Sequence, residues 1–251
     1  MINSLINNTT QFSPISLKNM DEVKLMNRSD TKFTFSVQKL PILLEKLVPF
    51  YDVLEINGKR LHSYKSLYFD TDDRKFYNDH HNRRVNRHKI RFREYEDSGL
   101  IFLEVKCKNN KGKTIKKRMK VNKIPNTLSN DHQRYVTNIM GYSLTVSSKQ
   151  WINFNRVTLV HKKLKERLTI DVNLNYSDGI ANGDLSKVII AEVKQERMSR
   201  SLSDFMKIAK ELHILPIRIS KYCMSTLELN PKLKQNRFKE KKIFINKLKQ
   251  I

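Results

Sequence analysis

The run Glu104-Val105-Lys106-Cys107-Lys108, with its partner Thr114-Ile115-Lys116-Lys117-Arg118-Met119-Lys120, decides the fold. Read with a period of two, Phe102, Glu104, Lys106 and Lys108 point one way, and Leu103, Val105 and Cys107 the other. Lys116, Arg118 and Lys120 share a face opposite Ile115, Met119 and Val121, with Lys117 the one exception. The polar, glycine-containing stretch 109–113 between the runs predicts a hairpin. One of its faces is apolar and the other strongly cationic. An ordinary surface strand shows such a pattern once, so recurrence is the test.

It recurs. Asp30, Lys32, Thr34 and Ser36 oppose Thr31, Phe33, Phe35 and Val37, and Lys89, Arg91, Arg93 and Tyr95 oppose Ile90 and Phe92. Further on, Lys165, Arg167, Thr169, Asp171 and Asn173 oppose Leu164, Leu168, Ile170, Val172 and Leu174. Glu192 and Lys194 share a face opposite Ile189, Ala191 and Val193. Strands are also expected at 62–70 and 153–161, the second with Arg156 and Thr158 on its polar face. Helices are expected at 38–50, after the acidic cap at 70–73, within 125–141 and from Ser201 or Ser203 to 213.

Roughly eight strands and a few helices make an α+β, mainly antiparallel chain, and the hairpin signals suit a closed barrel. Two arrangements are open. Apolar faces turned inward would fill the barrel, which composition ordinarily favours; turned outward under the helices, they would leave the charged faces lining a tunnel. Carboxylates interleave with cations at Glu104/Lys106, Arg167/Asp171 and Glu192/Lys194. Such a mixture suits a lumen that holds phosphates with cations and a metal with carboxylates.

The 251 residues carry 49 Lys+Arg against 25 Asp+Glu, a net charge of +24, which calls for a polyanionic partner. Composition alone puts nucleic acid first. Phe33, Phe35 and Phe92 lie opposite the cations instead of interleaving with them, which argues against base stacking and so against nucleic acid. No run of about 18 apolar residues predicts a transmembrane helix. The polar first 20 residues do not read as a secretory signal, and two unrelated cysteines suggest neither a disulfide framework nor a zinc site. A cytoplasmic protein is expected.

Several of these stretches resemble the triphosphate tunnel metalloenzymes, specifically the vacuolar transporter chaperone (VTC) polyphosphate polymerase branch. The motifs are Ser66-Leu67-Tyr68-Phe69-Asp70-Thr71, Arg91-Phe92-Arg93-Glu94-Tyr95, Leu103-Glu104-Val105-Lys106, Thr114-Ile115-Lys116-Lys117-Arg118, Arg167-Leu168-Thr169-Ile170-Asp171, Ala191-Glu192-Val193-Lys194 and Ser220-Lys221-Tyr222. The family's E-x-E-x-K strand stands here as Arg28-Ser29-Asp30-Thr31-Lys32, departing at both glutamates as the polymerase branch does. The resemblance implies an eight-stranded tunnel barrel with a charged lumen and flanking helices over residues 22–225. A flexible arm (1–21) would precede it and a basic helical tail (226–251) would follow.

It further implies transfer of the ATP γ-phosphate to a growing polyphosphate chain, assisted by Mn²⁺ or Mg²⁺. Lys32, Arg91, Arg93, Lys106, Lys116 and Glu192 would be catalytic, joined in phosphate binding by Arg118, Arg156, Arg167, Lys194 and Lys221. Glu192 and Glu104 would hold the metal. ATP and inorganic polyphosphate would be the ligands, and export would need a separate membrane-protein partner. A hydrolase of the same fold or a non-catalytic polyphosphate binder are the alternatives.

Blander readings stand beside these. The basic strand faces could be solvated, Glu192 could merely pair with Lys194, and Glu104 and Asp171 could orient cations. His62, His88, His161 and His213 read as structural, His80-His81 as helix surface and Cys107 as core. The tail from Lys232 reads as a solvated basic helix or a contact for an anionic surface.

Overall fold

The computed structural model of the protein describes residues 2–22, 28–110, 114–196 and 203–250. Part of the expected 109–113 turn and the alternative cap Ser201 lie outside the described residues. In the N-terminal half the elements are α1 (Ile2–Thr9), β1 (Pro14–Ile15), α2 (Leu17–Glu22), β2 (Arg28–Ser36), α3 (Leu40–Leu47), β3 (Tyr51–Leu54), β4 (His62–Asp70), α4 (Lys75–His81), β5 (Arg87–Tyr95), β6 (Leu100–Lys108) and β7 (Thr114–Val121). There follow α5 (Asn130–Met140), β8 (Ser147–His161), β9 (Glu166–Ser177), β10 (Asn182–Leu185), β11 (Val188–Glu196), α6 (Asp204–Glu211), α7 (Lys221–Leu229) and α8 (Lys239–Gln250).

Eleven strands hydrogen-bond into one sheet. Its main path is the expected eight strands, in the order β2-β11-β9-β8-β4-β5-β6-β7, all antiparallel to their neighbours. The short β3 and β10 attach at β8 and β9, and β1 pairs in parallel with β3.

The expected closure of the barrel is corrected. Among the described residues no ladder joins β7 to β2. The outer edge of β2 is met instead by the segment before α7, where Ile217 N–H donates to the Lys32 carbonyl at 2.8 Å and Phe33 bridges to Pro216. The edge strand β7 carries Lys116, Lys117, Arg118 and Lys120, all exposed, and charges of this kind keep an edge solvated and unpaired.

The apolar faces look outward, and the second of the two arrangements is the one the chain adopts. Leu43, Leu44 and Leu47 of α3 and Phe205 and Ile208 of α6 cover Phe33, Phe35, Leu168, Ile170, Ile189, Ala191 and Val193. On the other side α5 lays Val136 and Met140 over Leu67, Phe69, Ile90, Phe92, Leu103 and Val105, with Cys107 packed against the same cluster. Helix α5 is held by Ser129 at its N-cap and by Gly141, whose φ of 81° closes the last turn in a conformation that costs glycine little.

A third cluster lies on the inward face at one end. There Tyr68, Ile152, Phe154, Leu174 and Ile190 meet Tyr222, Cys223 and Leu227 of α7 and Ile245 and Leu248 of α8. Helices α7 and α8 therefore cover the apolar part of that end of the lumen. The tail expected as a solvated helix is docked through these residues and Phe238. The segment expected as a flexible arm likewise buries Leu5 and Phe12 in the outer core. His81 is buried too, accepting the Arg237 N–H at 3.2 Å, so it is not helix surface.

Candidate functional site

Because one apolar face of the strands lies under the outer helices, strand alternation turns their charged residues inward, beside the apolar cluster at one end. Register then decides which of them meet. Arg91 stands opposite Glu104, Arg156 opposite Asp171 and Lys32 opposite Glu192.

Each of these carboxylates is gripped by two cations. Arg91 donates from Nε and Nη2 to Glu104 Oε2 at 2.8 and 2.6 Å, while the Lys116 ammonium lies beside Oε1. Arg156 forks onto Asp171 at 2.5 and 2.9 Å, and Lys221 at the start of α7 reaches the same carboxylate. Lys32 holds Glu192 Oε1 at 2.5 Å, with Lys194 on Oε2. Burial alone would raise these carboxyls. Arg91, Arg93 and Lys116 instead hold Glu104 well below the usual carboxylate range, as Arg156 and Lys221 do Asp171, and Lys194 and Lys32 do Glu192.

A second set of cations has no such partner. Arg93, Lys106, Lys89 and Arg118 form no salt bridge among the described residues. Arg93 is buried, donates Nε to Ser66 Oγ at 3.2 Å and lies over the rings of Tyr64 and Phe154 at 5.4 and 5.5 Å. Lys106, though exposed along its side chain, is within electrostatic reach of Lys89, Glu192 and Lys32, and desolvation followed by Lys89 pushes its pKa down to about 8. Lys89 donates to Ser220 Oγ at 2.8 Å, and Arg118 rests over Phe102 at 4.7 Å. Lys106 of β6 lies within electrostatic reach of Glu192 of β11 and Lys32 of β2, so strands far apart along the sheet's path come near one another. Burial also lowers Lys194 and Lys221 to about 8, and partial desolvation beside Glu104 lowers Lys116 to about 8 although much of its side chain meets solvent.

The structure thus gathers Lys32, Arg91, Arg93, Lys106, Lys116, Arg156, Lys194, Lys221, Glu104 and Glu192 on one inward surface. Arg118 sits on the open edge strand. Arg167 lies farther along, opposite Lys194 in register and beside the sulfur of Met20 in α2. Residues not foreseen are Lys89, Tyr68, Tyr64 and Phe154. Lys89 shares the period-two face of Arg91 and Arg93, so its signal was present. Tyr68 accepts from Arg91 Nη1 at 2.7 Å and stacks on Tyr222 at 5.1 Å. Tyr64 and Phe154 stack with ring centroids 5.2 Å apart and carry both Arg93 and Arg156. Only the β4–β8 register brings them together.

A metal held by protein ligands alone does not fit: among the described residues no three His, Cys, Asp or Glu side chains come together. A single carboxylate sharing a divalent ion with phosphate oxygens does fit, since Mg²⁺-type ions are commonly held that way. Glu192 is better placed for this than Glu104, with 17% of its side chain exposed against 2%.

The VTC domain family model matches residues 27–230. No curated protein sequence matches the chain. Among solved structures, a Hippeastrum protein reported with a dominant triphosphatase activity superposes with a TM-score of 0.52 at 16% identity, covering 83% of this chain and 98% of that one. A candidate adenylate cyclase from Vibrio parahaemolyticus gives 0.47 at 13% identity, covering 80% and 99%.

Proposed function

The chain belongs to the VTC domain family, and on that premise we propose that it is a polyphosphate polymerase. In this reading the γ-phosphate of ATP is transferred to the end of a polyphosphate chain held in the lumen. The bond from the γ-phosphorus to the β,γ-bridging oxygen breaks, a bond from a terminal chain oxygen to that phosphorus forms, and ADP leaves.

The observation that carries the reading is the state of the carboxylates. Glu104, Asp171 and Glu192 are each held by two cations and kept strongly acidic, so none is a good general base. Water as nucleophile is helped by such a base or by a free group that positions it, and these carboxylates are committed to cations. A terminal phosphate oxygen is already anionic at neutral pH and needs only to be positioned against a neutralised γ-phosphate.

Arg93, Lys106 and Lys89 are the first receptors for phosphate, because no carboxylate has to be displaced from them. Arg91 and Arg156, fixed by Glu104 and Asp171, present their remaining N–H groups in a set orientation. Lys32 and Lys194 can move from Glu192 to substrate oxygens, leaving that carboxylate for Mn²⁺ or Mg²⁺. The ion, when bound, supplies charge neutralisation on the phosphate oxygens. Glu104 serves in this scheme to orient Arg91 and Lys116.

The triphosphatase activity of the Hippeastrum protein supports hydrolysis as the second reading. Incubation of the purified protein with ATP and Mn²⁺ or Mg²⁺ separates them, with chains resolved by gel and free phosphate assayed in parallel. Long chains, absent with Lys106→Ala, are expected. Free phosphate without chains would establish the hydrolase, and chain binding without either product would leave a binding module.

A further inference from the structure

Outside the lumen a cluster of unneutralised charge lies where α4, the segment before α7 and α8 converge on the ends of β5 and β6, where Arg87 pairs in register with Lys108. His80 of α4 lies within electrostatic reach of Lys89, Arg87, Lys241 and Lys108. Lys241 in turn neighbours Arg83 and Arg218, donating to the Arg218 carbonyl at 2.7 Å. Helix α8 is fixed there by Phe238 against His81, by the Arg237 N–H on His81 Nε2 and by Arg237 Nη1 on the Asn82 carbonyl at 3.1 Å.

Three features distinguish this cluster from a scatter of surface lysines. Among the described residues no salt bridge joins Arg83, Arg87, Lys108, Arg218 or Lys241 to a carboxylate, and Asp79 of the same helix is engaged with Lys75 at 3.1 Å. His80 buries Nδ1 without a hydrogen-bond partner in the middle of the cations, and burial together with those cations pushes its pKa down to about 2. The cluster is also continuous with the lumen: Lys106 neighbours Lys89, and Lys89 neighbours Arg87.

We propose that this cluster is a second polyanion site, a track of cations that takes the inorganic polyphosphate chain from the lumen at Lys89 past α7 and out along α8. The inference rests on the lumen holding phosphate chains. A chain long enough to span both places is bound by two linked sites, so its affinity exceeds that of a short one. Arg83 and Arg218 are exposed and Lys241 is half-buried, so they can be altered without touching the lumen.

The experiment compares binding of tripolyphosphate and of long-chain polyphosphate to the full chain, to an Arg218→Glu/Lys241→Glu variant and to Arg83→Glu. Lys241→Gln serves as a milder change should the double variant fail to fold. The expected result is unchanged tripolyphosphate affinity and a loss of roughly tenfold or more for the long chain. Unchanged long-chain affinity would overturn the track while leaving the lumen reading intact. Equal loss for both ligands would also overturn it, marking a diffuse field. A wild-type protein that binds neither ligand would overturn the lumen reading and the track with it.

Discussion

Arg91 and Glu104 face each other across β5 and β6, and the guanidinium places both Nε and Nη2 on a single carboxylate oxygen, Oε2. The other oxygen, Oε1, takes no well-formed hydrogen bond and has only the Lys116 ammonium beside it. One buried carboxylate thus restrains two cations that would otherwise repel each other and Arg93. The same device recurs at Asp171 and Glu192. On the proposed function, substrate phosphates would take over, in charge and in hydrogen bonding, the places these carboxylates hold.

Removing such a carboxylate should therefore damage the fold more than the binding. Glu104→Ala leaves Arg91, Arg93 and Lys116 uncompensated and is expected to cost roughly 3 kcal/mol in chemical denaturation. Added tripolyphosphate should restore much of the loss, because an anion that binds only the folded state stabilises it by mass action. A variant as stable as the wild type without ligand would contradict this account.

The opposite behaviour is expected of Arg93, which makes no salt bridge among the described residues and feels Glu104 only at a distance. Arg93→Ala should leave the melting temperature unchanged or slightly raised, since a desolvated cation is removed. Tripolyphosphate affinity should fall by about tenfold to a hundredfold, the worth of hydrogen bonds to a charged group. Calorimetric titration and a thermal melt on one sample decide it.

The lumen lysines set a pH dependence with two opposite signs. Lys106, Lys116, Lys194 and Lys221 titrate near pH 8 in the folded protein, below the ordinary lysine value of about 10.4. Between these values the unfolded chain binds more protons, so the stability of the ligand-free protein should rise with pH across that window. Phosphate affinity should fall over the same range as the ammonium groups lose their charge. Thermal melts from pH 7 to pH 10, with and without tripolyphosphate, should converge as pH rises; parallel curves would refute the assignment.

The outer core predicts a stability effect with no electrostatic component. Phe205 of α6 is fully buried and meets Phe33 of β2 edge-on at 5.0 Å. Phe205→Ala should cost about 3–5 kcal/mol, yet protein folded at low temperature should retain tripolyphosphate affinity. Loss of affinity in well-folded protein would mean that α6 does more than cover the sheet.

The sequence by itself determined the eight main strands and their two-faced chemistry. Strand alternation obliges Lys89, Arg91 and Arg93 to share a face, and the same holds for Glu104 with Lys106 and for Glu192 with Lys194. Local pattern could not say which face looks inward, because an apolar face is buried equally well by a barrel core or by covering helices. The tertiary structure settled that by laying α3, α6 and α5 on the outside. It also decided what local pattern cannot encode: that among the described residues no ladder joins β7 to β2, that α7 and α8 cover the apolar residues at one end, and which cations a carboxylate restrains. Arg91 and Arg93 are two residues apart on one strand face and look equivalent in sequence. They differ because Glu104 lies in register with Arg91, while Arg93 falls opposite Phe102 and Ser66. Register across strands is a long-range property, and it sets the charge each phosphate would meet.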